Sequence, residues 1–339
     1  MCTAINFTTD KNYFGRNLDL EISYGQAAVV TGRGHSFPLR HGGLDLAGHT
    51  VGKDYKTSYA IIGIAAVFNG VPLFFDGANE KGLGMAGLNF PGNAVFHKPV
   101  DGRDNIATFE FIPWILGQCA TLEDAEKLLS RINLTDEAFS ENLQPAELHW
   151  MITDGKRAIV IESMKDGLHI HENPVGVLTN NPPFEKQIFN LNNYRQVSAR
   201  AAAPAFAPGL ELDEYSRGMG SDGLPGGMSS MERFVKVAFV KLNSYNRKQK
   251  GLPVKDNTEI YDEKHSVSQF FHILHAVEQP MGCCELRPNV YEYTIYSDCM
   301  NLDDGILYYT TYENQGITAV RMQDAPLDGG KLTVFKIGA

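Results

Sequence analysis

The sequence predicts an α+β fold with largely antiparallel sheets. Candidate strands and helices come in blocks rather than alternating one by one, which disfavours a doubly wound parallel sheet. Two G-x-G-x-x-G strings stand in the wrong context for a dinucleotide site, which needs a strand, a Gly turn and then a helix. Gly82, Gly84 and Gly87 run into Leu88-Asn89-Phe90-Pro91-Gly92, a strand and a turn. Gly218, Gly220 and Gly223 follow no strand and precede Pro225. With 33 glycines in 339 residues, chance matches of this motif are expected.

The elements read as follows. Thr3–Phe7 is a short apolar strand, and Tyr13–Leu20 is a second one after a turn at Asp10-Lys11-Asn12. Ala27–Thr31 is a third. Tyr59–Phe68 is too apolar for a strand with one wet face and is expected to be covered on both. Leu83–Phe90 follows the turn Asn79-Glu80-Lys81-Gly82. Thr108–Cys119 has Phe109, Ile112, Ile115 and Leu116 at helical spacing, with Pro113 signalling a kink or a later start. Thr121-Leu122-Glu123-Asp124 opens a helix to about Ile132. Strands return at Leu148–Thr153, Ala158–Glu162, Leu168–Glu172 and Val175–Thr179. Pro183–Leu191 reads as helix and 198–228 as loop, rich in Ala, Pro and Gly. A helix runs from Ser229 to about Asn246, with Glu232 closing a capping box and Met231, Phe234, Val235, Ala238 and Leu242 on one face. Residues 247–263 read as a polar linker and Val267–Val277 as helix. Tyr291–Tyr296, Ile306–Thr311, Ile317–Met322 and Leu332–Ile337 are the last strands.

At about 150 residues per domain, the length suits two domains or one large one. The hydrophobic fraction of 43% and charged fraction of 21% are globular values. A formal charge of −10 argues against a general nucleic-acid binder but leaves room for a local basic site that takes a small anion. Cysteines stand at 2, 119, 283, 284 and 299, an odd total with no C-x-x-C, so neither a disulfide framework nor a Cys-rich zinc module is expected. Asp10 and Lys11 occupy the place of a secretory signal's apolar core, which also argues against lipid modification of Cys2. The most apolar stretch, Tyr59–Phe68, falls far below the ~20 residues of a membrane span. The chain reads as cytoplasmic, with no membrane insertion.

Cys2 is the sharpest chemical candidate. Loss of Met1 would leave a thiol and a free α-amino group on one residue, combining nucleophile and general base. The ordinary reading is a small buried apolar cysteine. Arg16, Asp19 and Glu21 lie on the second strand, and a tight return would lay them beside the first. There Arg16 would favour a thiolate and Asp19 would hold the α-ammonium; the ordinary reading is a solvated edge strand. Arg233, in the first turn of a helix, opposes the helix dipole, a hint that its guanidinium serves another purpose. Asn180 and Asn181 end a strand, where an Asn can donate to an oxyanion or simply turn the chain. His169 with His171 and His272 with His275 have the spacing of metal-ligand pairs, but neither comes with a third ligand and a general-base Glu. These histidines and the vicinal Cys283-Cys284 read as structural.

Together these residues resemble the choloylglycine hydrolase family, which contains bile salt hydrolases and penicillin V acylases. The strings that carry the resemblance are MCTA at Met1–Ala4, FGRNLDLE at Phe14–Glu21 and NEKGLGMAGLNFPG at Asn79–Gly92. LHWMITD at Leu148–Asp154, GVLTNNPPF at Gly176–Phe184 and GMGSDGLPG at Gly218–Gly226 follow in order. RFVKVAF at Arg233–Phe239 and TYENQGITAV at Thr311–Val320 extend it over nearly the whole chain.

The resemblance implies an N-terminal nucleophile hydrolase: an αββα sandwich of two antiparallel sheets between helical layers, one domain over residues 1–339, assembled as a homotetramer. It implies Cys2 as nucleophile, Arg16 and Asp19 beside its thiol and amine, and Asn180 (side chain) and Asn89 (backbone N–H) as oxyanion donors. Arg233 would polarise the site, and no metal or cofactor is called for. Asn89, where penicillin V acylases carry Tyr, leans to conjugated bile salts as substrate. Leu18, Phe68, Phe75, Phe139 and Leu143 correspond to the family's steroid-pocket positions, with Phe75 bulky enough to narrow it. Two departures stand out: Gly226-Gly227 where the family reads GLPGD, and Met231-Glu232 before Arg233 where small polar residues are usual. Glu232 would then pair with Arg233 or cap its helix. The competing classes are a penicillin V acylase of the same chemistry, a dinucleotide-dependent oxidoreductase built on Gly82–Gly87, and a non-catalytic lipid-binding module.

Overall fold

The computed structural model describes residues 1–201, 203–244 and 262–337. Two antiparallel sheets dominate it. In chain order their strands are β1 (Cys2–Thr8), β2 (Asn12–Leu20), β3 (Ala27–Thr31), β4 (Ile61–Phe68), β5 (Val71–Asn79), β6 (Gly84–Asn89), β7 (Leu148–Thr153), β8 (Ala158–Met164), β9 (Gly167–Glu172), β10 (Val177–Leu178), β11 (Tyr293–Asn301), β12 (Ile306–Thr311), β13 (Thr318–Arg321) and β14 (Leu332–Lys336). The six-stranded sheet has the order β10-β1-β2-β11-β12-β13, and the eight-stranded sheet β9-β8-β7-β6-β5-β4-β3-β14.

Helices cover the outer faces. Helices α1 (Phe111–Leu116) and α2 (Leu122–Leu129) pack on the eight-stranded sheet through a core of Ile61, Met85, Trp114, Leu128, Trp150 and Ile159. Helices α3 (Phe184–Asn190), α4 (Ser230–Asn243) and α5 (Glu263–His275) share a core with the six-stranded sheet. That core continues through the sheet into the space between the two sheets, where Ala4, Ile64, Ala86 and Met151 lie buried. The result is the expected αββα sandwich. Double coverage explains the strand composition: Ile61–Ala66 is buried on both faces, so no period-two polar alternation survives.

Several elements differ from the sequence reading, each for a local reason. β5 was not foreseen. It returns from β4 through Asn69-Gly70, both at positive φ (50° and 81°), which closes Phe68 against Val71; Asn-Gly is the usual dipeptide for such a two-residue turn. The helix drawn over Thr108–Cys119 begins with a 3-10 turn at Thr108–Glu110, and α1 proper starts at Phe111. Pro113 therefore sits in the first turn, where its missing N–H has no intrahelical partner to lose. α2 stops at Leu129, and Ile132–Thr135 instead pairs in parallel with Asp104–Ala107, burying Ile132 and Leu134 at period two.

Val175–Thr179 is reduced to the short edge strand β10. Pro183–Leu191 is α3 followed by a 3-10 turn at Leu191–Tyr194. In α4 the Ser229 hydroxyl accepts the Glu232 N–H at 3.4 Å, but the Glu232 carboxylate turns toward Gly227 instead of closing the box. Met231 and Leu242 are exposed, and the buried face is Arg233, Phe234, Val235, Val237 and Ala238. α5 starts before Val267, capped by Asp262, whose carboxylate accepts the His265 N–H at 2.9 Å. Most of the expected linker, 247–261, lies outside the described residues, and Glu263 at its end is helical. β11 extends to Asn301, well past the expected Tyr296.

Candidate active site

The site forms where β1 and β2 face the eight-stranded sheet. The tight return at Asp10-Lys11-Asn12 pairs Cys2 with Leu18 and Ala4 with Arg16. Directly opposed residues point to one face, so Cys2, Arg16 and Leu18 project together into the space between the sheets. Thr3, Asn17 and Asp19 project to the other face, toward the helices.

Cys2 is 1% exposed. Its backbone is clamped from the helix side. The Cys2 N–H donates to Asn180 Oδ1 at 2.8 Å, and its carbonyl accepts from Arg233 Nη1 at 2.6 Å. Arg233 Nη1 also donates to Thr3 Oγ1 at 2.5 Å, Nη2 to Asn180 Oδ1 at 2.7 Å and Nε to Met228 O at 3.0 Å. Each guanidinium nitrogen is thus engaged, and Arg233 fixes the Cys2 backbone against Asn180. Burial pulls its pKa below the ordinary arginine value, against the charges of Asp19 and Cys2.

Arg16 is wholly buried on the thiol side. Its Nη1 donates to Gly87 O at 2.6 Å and to Phe75 O at 3.2 Å, while Nη2 has no partner among the described residues. Burial works against its charge, but Cys2, Tyr296, Asp76 and Asp298 together hold it on, and the pKa is raised. Behind it lie two buried carboxyls. Asp76 accepts from Tyr296 OH at 2.5 Å, and Asp298 accepts the Arg16 N–H at 2.7 Å. Burial pushes both carboxyls upward, against the pull of the Arg16 charge.

Asp19 faces the helices. Its carboxylate accepts from Thr294 Oγ1 at 2.6 Å and Gln279 Nε2 at 3.2 Å. Its backbone carbonyl accepts from the Met1 amine at 2.9 Å, and the same amine forms an ion pair with the buried Glu292. This amine is that of Met1; the nitrogen of Cys2, the one expected to meet Asp19, is here an amide whose N–H goes to Asn180. Asn180 is anchored by its N–H to Ser230 Oγ at 2.8 Å, and its side-chain Nδ2 donates to Asn89 O at 2.7 Å. The second Nδ2 hydrogen has no acceptor among the described residues.

A cavity of about 340 Å³ opens in front of Cys2. Leu18, Phe68, Phe75, Phe139 and Leu143 all line it, as do Arg16 and Asn89. Phe139 meets Phe68 at 6.4 Å and Phe109 edge-on at 5.2 Å, an aromatic wall. Glu21, Tyr24 and Phe109 also line the cavity and were not singled out as pocket residues from sequence. Gln279, Glu292, Thr294 and Ser230 were missed too; each acts through a partner distant in sequence, so no local signal marks it.

The remaining candidates fall elsewhere. Gly84 and Gly87 lie within β6, where a Cβ would meet Phe14 at 2.7 Å and Trp150 at 3.0 Å; they permit close packing and cradle no phosphate. His169 and His171 stack at 6.1 Å on β9, with carboxylate partners Asp166 and Glu162. No helix among the described residues is long and apolar enough to cross a membrane.

Comparison with known proteins gives a consistent picture. The family described as linear amide C–N hydrolases, choloylglycine hydrolase family, matches residues 2–335. A bile salt hydrolase/transferase of Lactiplantibacillus plantarum is 46% identical over 337 residues, covering 99% of this chain and 97% of that one. One of Bifidobacterium longum is 37% identical, covering 98% of both. A variant of the conjugated bile acid hydrolase from Clostridium perfringens superposes with a TM-score of 0.86 at 32% identity, covering 99% of this chain and 97% of that one. A penicillin V acylase from Agrobacterium tumefaciens shares the fold with a TM-score of 0.72 at 18% identity, covering 100% of this chain and 92% of that one.

Proposed function

The chain belongs to the choloylglycine hydrolase family of linear amide C–N hydrolases, and from that premise we propose that it is a bile salt hydrolase acting through Cys2. The observation that carries the reading is a buried thiol at the floor of an apolar cavity, with its backbone clamped by Arg233 and Asn180 and Arg16 on its flank.

Loss of Met1 turns the Cys2 N–H into an α-amine. Arg16 favours the thiolate, which attacks the amide carbonyl of a glycine- or taurine-conjugated bile acid. The free Asn180 Nδ2 hydrogen and the Asn89 N–H receive the developing oxyanion. The α-amine protonates the leaving nitrogen, and glycine or taurine departs, leaving a thioester. Water, deprotonated by the same amine, then attacks the thioester and releases the free bile acid. Apolar burial at about 25 cal/mol per Å² holds the steroid against Leu18, Phe68, Phe75, Phe139 and Leu143. No step requires a metal or cofactor.

Three coarser readings accompany it. The core shared between both sheets supports one working unit over residues 1–339. Phe206 and Tyr215, each 84% exposed, and Leu210 and Leu212, each 49%, project from one loop and support a homotetramer, the cover such side chains call for; light scattering would give four chain masses. The free cysteines fit a reducing, cytoplasmic compartment.

The test is turnover of glycocholate, taurocholate and penicillin V side by side, with the N-terminal mass measured on the same sample. Bile salts are expected to be cleaved with the higher kcat/KM by protein lacking Met1. A preference for penicillin V would overturn the substrate assignment, and full activity with Met1 retained would overturn the free-amine mechanism.

A further inference from the structure

His149 lies on β7, wholly buried. Its Nδ1 is 3.0 Å from Glu162 Oε1 on β8, and its Nε2 is 2.9 Å from Thr179 O. Its ring stacks on Phe90 with 4.3 Å between centroids and 5° between planes. Thr179 immediately precedes Asn180, and Phe90 immediately follows Asn89. One ring therefore touches the neighbours of both residues assigned above to the oxyanion.

Both atoms that face the ring nitrogens are acceptors. The ring bridges the Glu162 carboxyl and the Thr179 carbonyl. Glu162 is tied down further: it accepts the Phe184 N–H at the start of α3, at 3.0 and 3.2 Å to its two oxygens, and faces His171 Nε2 on β9 at 3.5 Å. Glu185 of α3 stands beyond His171 at 3.8 Å. Burial alone would raise the Glu162 pKa, but the nearby His149 and His171 hold it down to about 2.

We propose that His149, held between Glu162 and the Thr179 carbonyl and stacked on Phe90, is a positioning residue that sets the spacing between the Asn89 N–H and the Asn180 amide. It rests on the reading of those two groups as oxyanion donors. His149 touches neither substrate nor thiol; it holds the carbonyl on one side of the hole and the ring of Phe90 on the other.

The test measures kcat and KM of glycocholate hydrolysis by the processed full-length chain. Glu162→Gln replaces the carboxylate that holds the ring by a neutral amide. The expected result is a kcat lower by roughly 10–100-fold, the cost of a small misplacement at a reacting centre, with KM within about threefold of wild type. Phe90→Leu removes the stacking face without removing a charge, and should lower kcat several-fold at unchanged KM; it keeps the test open if Glu162→Gln does not fold. Wild-type kcat in folded Glu162→Gln, or wild-type kcat in Phe90→Leu, overturns the proposal. Asn180→Ala separates it from the reading beneath: that variant should lose about 10²–10³ in kcat. If it does and the Glu162 and Phe90 variants do not, the positioning role falls and the oxyanion assignment stands. If Asn180→Ala keeps its activity, the oxyanion assignment falls.

Discussion

At the scale of single residues, the site is built from buried charges whose directions are set by strand alternation. Cys2, Arg16 and Leu18 share a face because Cys2 opposes Leu18 and Ala4 opposes Arg16, while Asp19 points away. That much was legible: once the first two strands are read as a hairpin, Arg16 falls beside the thiol. What the sequence did not show is that Glu292, nearly three hundred residues later, pairs with the Met1 amine beside Asp19. Cys2→Ala should abolish turnover while glycocholate still binds, checked by calorimetry; loss of binding would mean that the thiol shapes the cavity. Arg233 allows a sharper test, because its fork bridges Cys2 O, Thr3 Oγ1 and Asn180 Oδ1. A lysine supplies one point charge and cannot span all three. Arg233→Lys should cost about 1–3 kcal/mol for the unsatisfied buried groups and lower kcat more than it raises KM, measured by urea unfolding and steady-state kinetics.

At the scale of elements, strands and helices with strong internal pattern were legible and those defined by partners were not. Cys2–Thr8, Asn12–Leu20 and Ile306–Thr311 were found within a residue or two, because dense apolar runs between turn residues mark them. β5 was missed although Asn69-Gly70 announces a hairpin. Its residues, Val-Pro-Leu-Phe-Phe-Asp-Gly-Ala-Asn, mix Pro and Gly into the run, and only pairing with β4 on one side and β6 on the other makes it a strand. The short strand Ile132–Thr135 was missed and the helix drawn to about Ile132, three residues past its end at Leu129, because nothing local separates a helix end from a short parallel strand. The hairpin can be tested directly. Gly70 adopts φ 81°, a conformation that costs an L-residue roughly 1–2 kcal/mol. Gly70→Ala should lower the unfolding free energy by that amount, read as a lower urea midpoint at unchanged m-value; an unchanged midpoint would mean that the turn relaxes into another type.

At the scale of the whole molecule, the layered architecture requires charge at its centre, and that sets how stability responds to pH. Two buried carboxyls act with opposite signs. Glu162 has its pKa held at about 2, below the ordinary 4.5, by His149 and His171 against the pull of burial. A depressed folded-state value stabilises the fold above the unfolded pKa and is lost as pH falls, here between about 4.5 and 2. Glu110 is the reverse. Burial raises it to about 7, against hydrogen bonds from the Ala107 and Arg40 N–H groups. Its contribution is complete below about 4.5 and declines as pH rises through 7. Each difference corresponds to about 3 kcal/mol at full development. These two groups therefore place the stability maximum near pH 4.5, where the Glu162 contribution is complete and the Glu110 loss begins. Urea midpoints measured from pH 2 to pH 9 should rise to that maximum and fall again up to about pH 7. Glu110→Gln should flatten the decline between pH 4.5 and 7 and leave the acid limb in place, whereas Glu162→Gln should flatten the acid limb alone. If both variants keep the wild-type profile, the pH response belongs to the surface charge of the −10 chain and not to the buried network that links the sheets to the site.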